Sequence, residues 1–155
     1  RQRIGTVHER ERKVFPTLAQ KGGYGPYVGR MTDGRRATGQ LAEDLCALRL
    51  ENLGWRLIER NWRVRSGELD LIALDGDTLV FVEVKALHSN LDRGPVLPVL
   101  AVGEKKQRRL RRLGEAWIAW RGHRALFEEV RFDVVGVRYS QEGEILDYQH
   151  IQNAF

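Results

Sequence analysis

The stretch from Gly67 to Ala86, GELDLIALDGDTLVFVEVKA, constrains the fold more than any other part of the chain. Leu69 to Leu74 and Thr78 to Ala86 are rich in β-branched and large apolar residues. Asp75-Gly76-Asp77 between them is a tight-turn signal, so a β-hairpin is expected. Yet this hairpin carries Asp70, Glu83 and Lys85 inside apolar runs. Side chains alternate faces along a strand, which puts Glu83 and Lys85 on one face and Val80, Val82 and Val84 on the other. The turn also brings Asp70 and Glu83 to neighbouring positions on adjacent strands. Two carboxylates held together repel unless a cation or a proton relieves them.

The other elements frame that hairpin. From Thr38 to Leu53, Leu41, Leu45 and Leu48 recur at i, i+4 and i+7, with Ala42, Ala47 and Leu50 widening the stripe and Gly54 suited to the stop. Trp55 to Trp62 reads as a strand or extended connection. Leu87 to Val102, with Gly94, Pro95 and Pro98, reads as a loop. Glu104 to Trp120 places Leu110, Leu113, Trp117 and Trp120 on one side of a second helix. Arg131 to Val137 is a strong strand and Ile145 to Ile151 a weak edge strand. The order α-β-β-β-α-β predicts an α/β fold, a mixed β-sheet flanked by helices.

Chain length and charge set the boundaries. At 155 residues with 42% apolar content and four prolines, the chain fits one domain with a real core. No run approaches the roughly 18 consecutive apolar residues of a membrane span, so no membrane partner is expected. The lone Cys46 makes no internal disulfide and is expected to be a core residue in a reducing cytoplasm. Residues 1–36 hold nine Lys/Arg against Glu9, Glu11 and Asp33, a net of +6, whereas the remainder, with 17 basic and 18 acidic residues, is −1. With six glycines and no sustained apolar period, 1–36 is expected to be a flexible basic extension, either a nucleic-acid-binding arm or simply solvated, and 37–155 the folded domain. Met31, the only methionine, is a candidate native start, and whether residues 1–30 are native stays open.

The charges suggest a chemistry. A divalent metal would relieve Asp70 and Glu83, and oxygen ligands favour Mg²⁺ or Mn²⁺, which take one or two carboxylates, keep waters and bind substrate phosphate. A lysine at position 85 can orient or deprotonate a water, or offset charge developing on a phosphate. Glu43 shares its helix flank with Ala47 and Leu50, an apolar setting for a charge, while Gln40, Asp44 and Glu51 form the ordinary polar face. Glu68 faces either the site or solvent. Six of the eight residues from Lys105 to Arg112 are Lys or Arg, a density suited to phosphate contact. Lys105, Lys106, Arg109 and Arg112 are the nucleic-acid-binding candidates, with a solvated helix face as the alternative. The D-x₁₂-E-x-K spacing is short, and the same residues also fit a structural ion pair. His8, His88, His123 and His150 lack ligand spacing and read as surface or loop residues. Trp55 and Trp62 read as core or edge packing in preference to base stacking.

The combination of Gly39, Glu43, GWRLIERNWRVRSGELDLIA (54–73), LVFVEVK (79–85), Gly94-Pro95, Lys105 and RFDVVGV (131–137) resembles the bacterial YraN-like family of predicted endonucleases. More broadly it is similar to nucleases of the restriction-endonuclease-like fold with the PD-(D/E)xK pattern, including archaeal Holliday-junction resolvases. The resemblance implies a restriction-endonuclease-like core with Glu43, Asp70, Glu83 and Lys85 as the catalytic set, Glu43, Asp70 and Glu83 as metal ligands, and Mg²⁺ or Mn²⁺ as cofactor. The implied function is hydrolysis of phosphodiester bonds in DNA, branched or structured DNA included. The alternative is a non-catalytic nucleic-acid-binding module, and since junction-cutting relatives act as dimers, a homodimer stays open. Two positions depart from the pattern: no proline accompanies Asp70, and Leu87 stands where family members often have arginine. Residues 31–155 expressed alone are expected to unfold in a single cooperative transition in urea; a broad, non-cooperative melt would show that the first thirty residues belong to the fold.

Overall fold

Asp75 pairs with Thr78 across a two-residue turn in which Gly76 has φ +63°. Glycine at the first central position supplies that left-handed conformation without a Cβ clash, so the hairpin closes where the sequence signal lies. The computed structural model describes residues 34–88 and 102–155, and all of these fall within one unit, Met31–Phe155. The elements are α1 (Gly34–Asn52), β1 (Arg56–Val64), β2 (Gly67–Asp75), β3 (Thr78–His88), α2 (Glu104–Arg121), a 3₁₀ turn (Gly122–Arg124), β4 (Glu129–Tyr139) and β5 (Ile145–Ile151). Residues 1–33, nearly all of the expected extension, and the Gly94-Pro95 motif lie outside the described residues.

The sheet order is β1-β2-β3-β4-β5. β1, β2 and β3 form an antiparallel meander, β3 and β4 are parallel, and β5 returns antiparallel to β4. A parallel pair needs a crossover, and α2 lies in it. This is the mixed sheet flanked by helices that the element order predicts. β3 is central and covered on both faces, which is why LVFVEV reads as a nearly unbroken apolar run. On one face Val80, Val82 and Val84 pack with Ala42, Cys46, Ala47 and Leu50 of α1. On the other, Leu79 and Phe81 pack with Leu110, Leu113 and Trp117 of α2.

Several boundaries and faces differ from expectation. α1 starts at Gly34, so its first turn takes in residues 34–36. Its buried face is Ala42, Cys46, Ala47 and Leu50, while Leu41 and Leu48 are 57% and 43% exposed. The small side chains let the helix lie close on a valine-rich surface, and that rotates Leu41 and Leu48 outward. β3 continues through Leu87 and His88 instead of ending at Ala86. Trp120 is 67% exposed, its ring edge-on to that of Trp62 with centroids 6.3 Å apart. Trp55 and Trp62 are buried, in line with the packing reading. Gly114 of α2 allows close approach: a Cβ there would lie 2.9 Å from Phe132 and 3.0 Å from Phe81. The indole of Trp117 donates to Glu59 of β1 at 2.9 Å, tying α2 to the sheet edge.

His150 is neither surface nor loop. It lies in β5, its Nε2 2.8 Å from Asp133 Oδ2, with its ring against Trp55. Asp133, fully buried, also accepts from Arg131 Nε at 2.9 Å and from the Asn153 amide at 2.9 Å. Arg131 bridges on to Asp75 at 2.9 Å. One buried carboxylate thus holds β4, β5, the C-terminal turn and the central hairpin together. Asp133→Ala would strand the Arg131 and His150 partners, and is expected to cost roughly 3 kcal/mol or more in urea unfolding, on the scale of a broken buried ion pair. A loss below about 1 kcal/mol, the range of an exposed pair, would contradict this role.

Candidate active site

The β2–β3 ladder runs from Asp75↔Thr78 to Leu71↔Val82; one further step in the same register sets Asp70 opposite Glu83. There the ladder stops, and the Asp70 side chain takes over as acceptor: Oδ2 accepts the Val84 N–H at 2.8 Å. β1 is also irregular at this level. Arg60 and Trp62 pair with Leu71 and Leu69, but Asn61 between them has φ +51°, an uncommon conformation for a residue in a strand. Its side chain favours the charged form of the Glu43 carboxylate. Asn61 went unrecognised in the sequence, where its one signal is a residue type depleted in strands within an otherwise β-rich run.

The side chains meet as follows. Asp70 and Glu83 are both buried. Glu83 Oε1 accepts from Lys85 Nζ, as the shared face predicts, and also lies 2.5 Å from Lys106 Nζ of α2. Glu83 Oε2 and Glu43 Oε2 are buried without a hydrogen-bond partner among the described residues. Burial pushes the Asp70 carboxyl up to about 7 from its ordinary 3.8, and the charges of Glu83 and Glu43 add to the rise, against the Val84 N–H and Lys106. Burial likewise raises Glu43, partly offset by Asn61 and Arg60. For Lys85, burial opposes the charge, but the Glu83 carboxylate outweighs it and the ammonium is held above its usual range. Glu68 resolves to the solvent side, paired with Arg63 at 2.9 Å. His123 is exposed.

The cationic helix divides between two surfaces. Lys105, Arg108, Arg109 and Arg112 line an open groove together with Ser66 of the β1–β2 turn. Gly67 makes room there, since a Cβ on it would stand 3.1 Å from Leu113 and 3.5 Å from Arg109. Arg108 is engaged by Glu104 at 3.4 Å, and Arg111 turns away to the Phe155 ring. Lys106 also borders the groove, but its ammonium is bound to Glu83. Leu87, at the position where the resemblance expects arginine, pairs with Arg138 of β4, whose guanidinium reaches Asp147 at 3.8 Å.

The donor set suits a hard divalent ion. Asp70 and Glu83 are both oxygen donors, and an unpartnered buried carboxylate oxygen on Glu83 matches an ion that takes one or two carboxylates and keeps its waters. Among the described residues no three His, Cys, Asp or Glu side chains converge as a ligand set. The charge of Glu43 is felt at Asp70. No helix of the described residues is long and apolar enough to cross a membrane.

A family model described as "Uncharacterised protein family UPF0102" matches residues 42–137, a span that holds Glu43, Asp70, Glu83, Lys85 and the whole cationic run. A UPF0102 protein of Dictyoglomus turgidum is 39% identical over 117 residues, covering 76% of this chain and 95% of that one. A UPF0102 protein of Streptomyces griseus is 47% identical over 109 residues, covering 70% and 88%. Among solved structures, Pyrococcus furiosus SfsA in complex with Ca²⁺ aligns with a TM-score of 0.34 and 22% identity, over 76% of this chain and 63% of that one.

The raised Asp70 carboxyl has a consequence for stability. Between about pH 4 and 7 the unfolded chain has released this proton and the folded chain still holds it, so the unfolded state binds fewer protons and Asp70's contribution falls as pH rises. Above the folded value near 7 the loss is complete. The stability difference between wild type and Asp70→Asn, measured by urea unfolding without added metal, is therefore expected to shift against wild type from pH 5 to pH 8. A difference independent of pH would show that Asp70 titrates normally.

Proposed function

The chain belongs to the UPF0102 family, and from the charges gathered within the matched span we propose that it is a metal-dependent nuclease that hydrolyses phosphodiester bonds in DNA, structured or branched DNA included. The observation that carries this reading is the placement of Asp70 opposite Glu83 where two strands part, with Lys85 beside them and a basic groove alongside. A pure binder gains nothing from buried carboxylates next to a phosphate-contacting surface. Asp70 and Glu83 would hold Mg²⁺ or Mn²⁺. When bound, such an ion polarises a phosphoryl oxygen and makes its water more acidic.

The chain's own groups supply the rest. Lys85 is kept as an ammonium by Glu83, so it donates hydrogen bonds to water or phosphate and offsets developing charge, and is ill-suited to accept a proton. Glu43, raised in pKa by burial, would serve as a further ligand or as a contact to a metal-bound water. Lys105, Arg109 and Arg112 hold backbone phosphates in the groove. A second reading, a nucleic-acid-binding module without cleavage, draws on one specific observation: Lys85 and Lys106 already balance Glu83 without any ion.

Incubation of the purified protein with linear, flapped and four-way DNA in Mg²⁺, Mn²⁺ or EDTA distinguishes them. Cleavage is expected with metal only, is lost in Asp70→Asn, and falls about 10²-fold in Lys85→Ala, the scale of a lost electrostatic or acid–base group. Binding with no cleavage on any substrate would favour the module. In either case, replacing Lys105, Arg109 and Arg112 by Ala is expected to flatten the salt dependence of DNA affinity, by roughly 0.9 in log–log slope for each phosphate that the helix no longer neutralises. An unchanged slope would remove this helix from the interface.

A further inference from the structure

Lys106 stands in two sites at once. Its ammonium is 2.5 Å from Glu83 Oε1, and the same side chain borders the groove lined by Lys105, Arg109 and Arg112. The Glu83 carboxylate is buried, and its charge is balanced by Lys85 from its own strand and Lys106 from the helix across. Asp70 also lies within the field of Lys106. Two ammonium groups on one carboxylate oxygen together carry the charge of a divalent cation.

We propose that Lys106 is the resident counter-ion of the Asp70–Glu83 pair, that it leaves Glu83 when a divalent cation binds there, and that the freed ammonium then takes a DNA phosphate in the groove. The proposal rests on the metal-site reading above. The physical case is electrostatic. A divalent charge beside an ammonium already seated on Glu83 is repelled at a few ångströms, in a setting with little water to screen it. Of the two lysines, Lys106 is the one with somewhere to go. Lys85 is fixed by the backbone two residues from Glu83, whereas Lys106 reaches Glu83 from another element and has the groove on its other side. One side chain would then couple the two ligands, and the coupling must be reciprocal: metal strengthens DNA binding as much as DNA strengthens metal binding.

The test is calorimetric titration with Mn²⁺ at fixed ionic strength. Lys106→Gln keeps an N–H donor for Glu83 but loses the charge, and Lys106→Met removes both. Each is expected to bind Mn²⁺ about tenfold tighter than wild type, a difference of about 1.4 kcal/mol. Arg56→Gln, at the far end of the β1–β2 pair from Asp70, controls for losing one positive charge and is expected to match wild type. Mn²⁺ is also expected to raise wild-type affinity for a phosphorothioate duplex, and to raise it less in Lys106→Gln. Mn²⁺ binding by wild type with no gain in Lys106→Gln would overturn the counter-ion role and leave the nuclease reading standing. No Mn²⁺ binding by wild type or by either variant would overturn both.

Discussion

A carboxylate buried in the central strand of a sheet must meet positive charge, and the site is organised around the cations that reach Glu83. β3 is covered by α1 on one face and α2 on the other, so Glu83 has no solvent to fall back on. Lys85 follows it on the same strand, and Lys106 arrives from the first turn of α2. That second contact fixes where α2 begins relative to the sheet. The same helix brings Leu110, Leu113 and Trp117 onto Phe81 and Ile72, so the burial that stabilises the domain and the ion pair that completes the site depend on one docking geometry.

Asp70 carries the opposite balance. Its carboxylate replaces a ladder acceptor by binding the Val84 N–H, yet burial and the nearby carboxylates keep it reluctant to ionise. A group in that condition costs stability at neutral pH unless something relieves it. Asn61 in its left-handed conformation and the unpartnered oxygens of Glu43 and Glu83 lie around the same strand opening. Polar atoms left unmatched in this way are what the proposed metal site requires. Asp133 shows the contrast. It is buried more deeply still, but Arg131, His150 and the Asn153 amide satisfy it, and it reads as a fastening for β5.

Residue pattern alone determined a good deal. Alternation and the Asp-Gly turn located the central hairpin, the 3.6-residue period located both helices, and the element order implied a mixed sheet. It also singled out Asp70, Glu83, Lys85 and Glu43, because a charge within an apolar run or flank is conspicuous whatever surrounds it. These are local properties: which side chains share a face within one strand or helix follows from backbone geometry. The tertiary structure decided what local geometry leaves open. The leucines of α1 looked like its core stripe, but docking on a valine surface selected the smaller residues and turned Leu41 and Leu48 outward. Lys106 was indistinguishable from its cationic neighbours until α2 was seated 23 positions away from Glu83 in the chain. Asp133 and His150, 17 residues apart, have no shared period to link them. A charge announces itself in a sequence, but its partner is chosen by long-range packing, and no spacing rule encodes that.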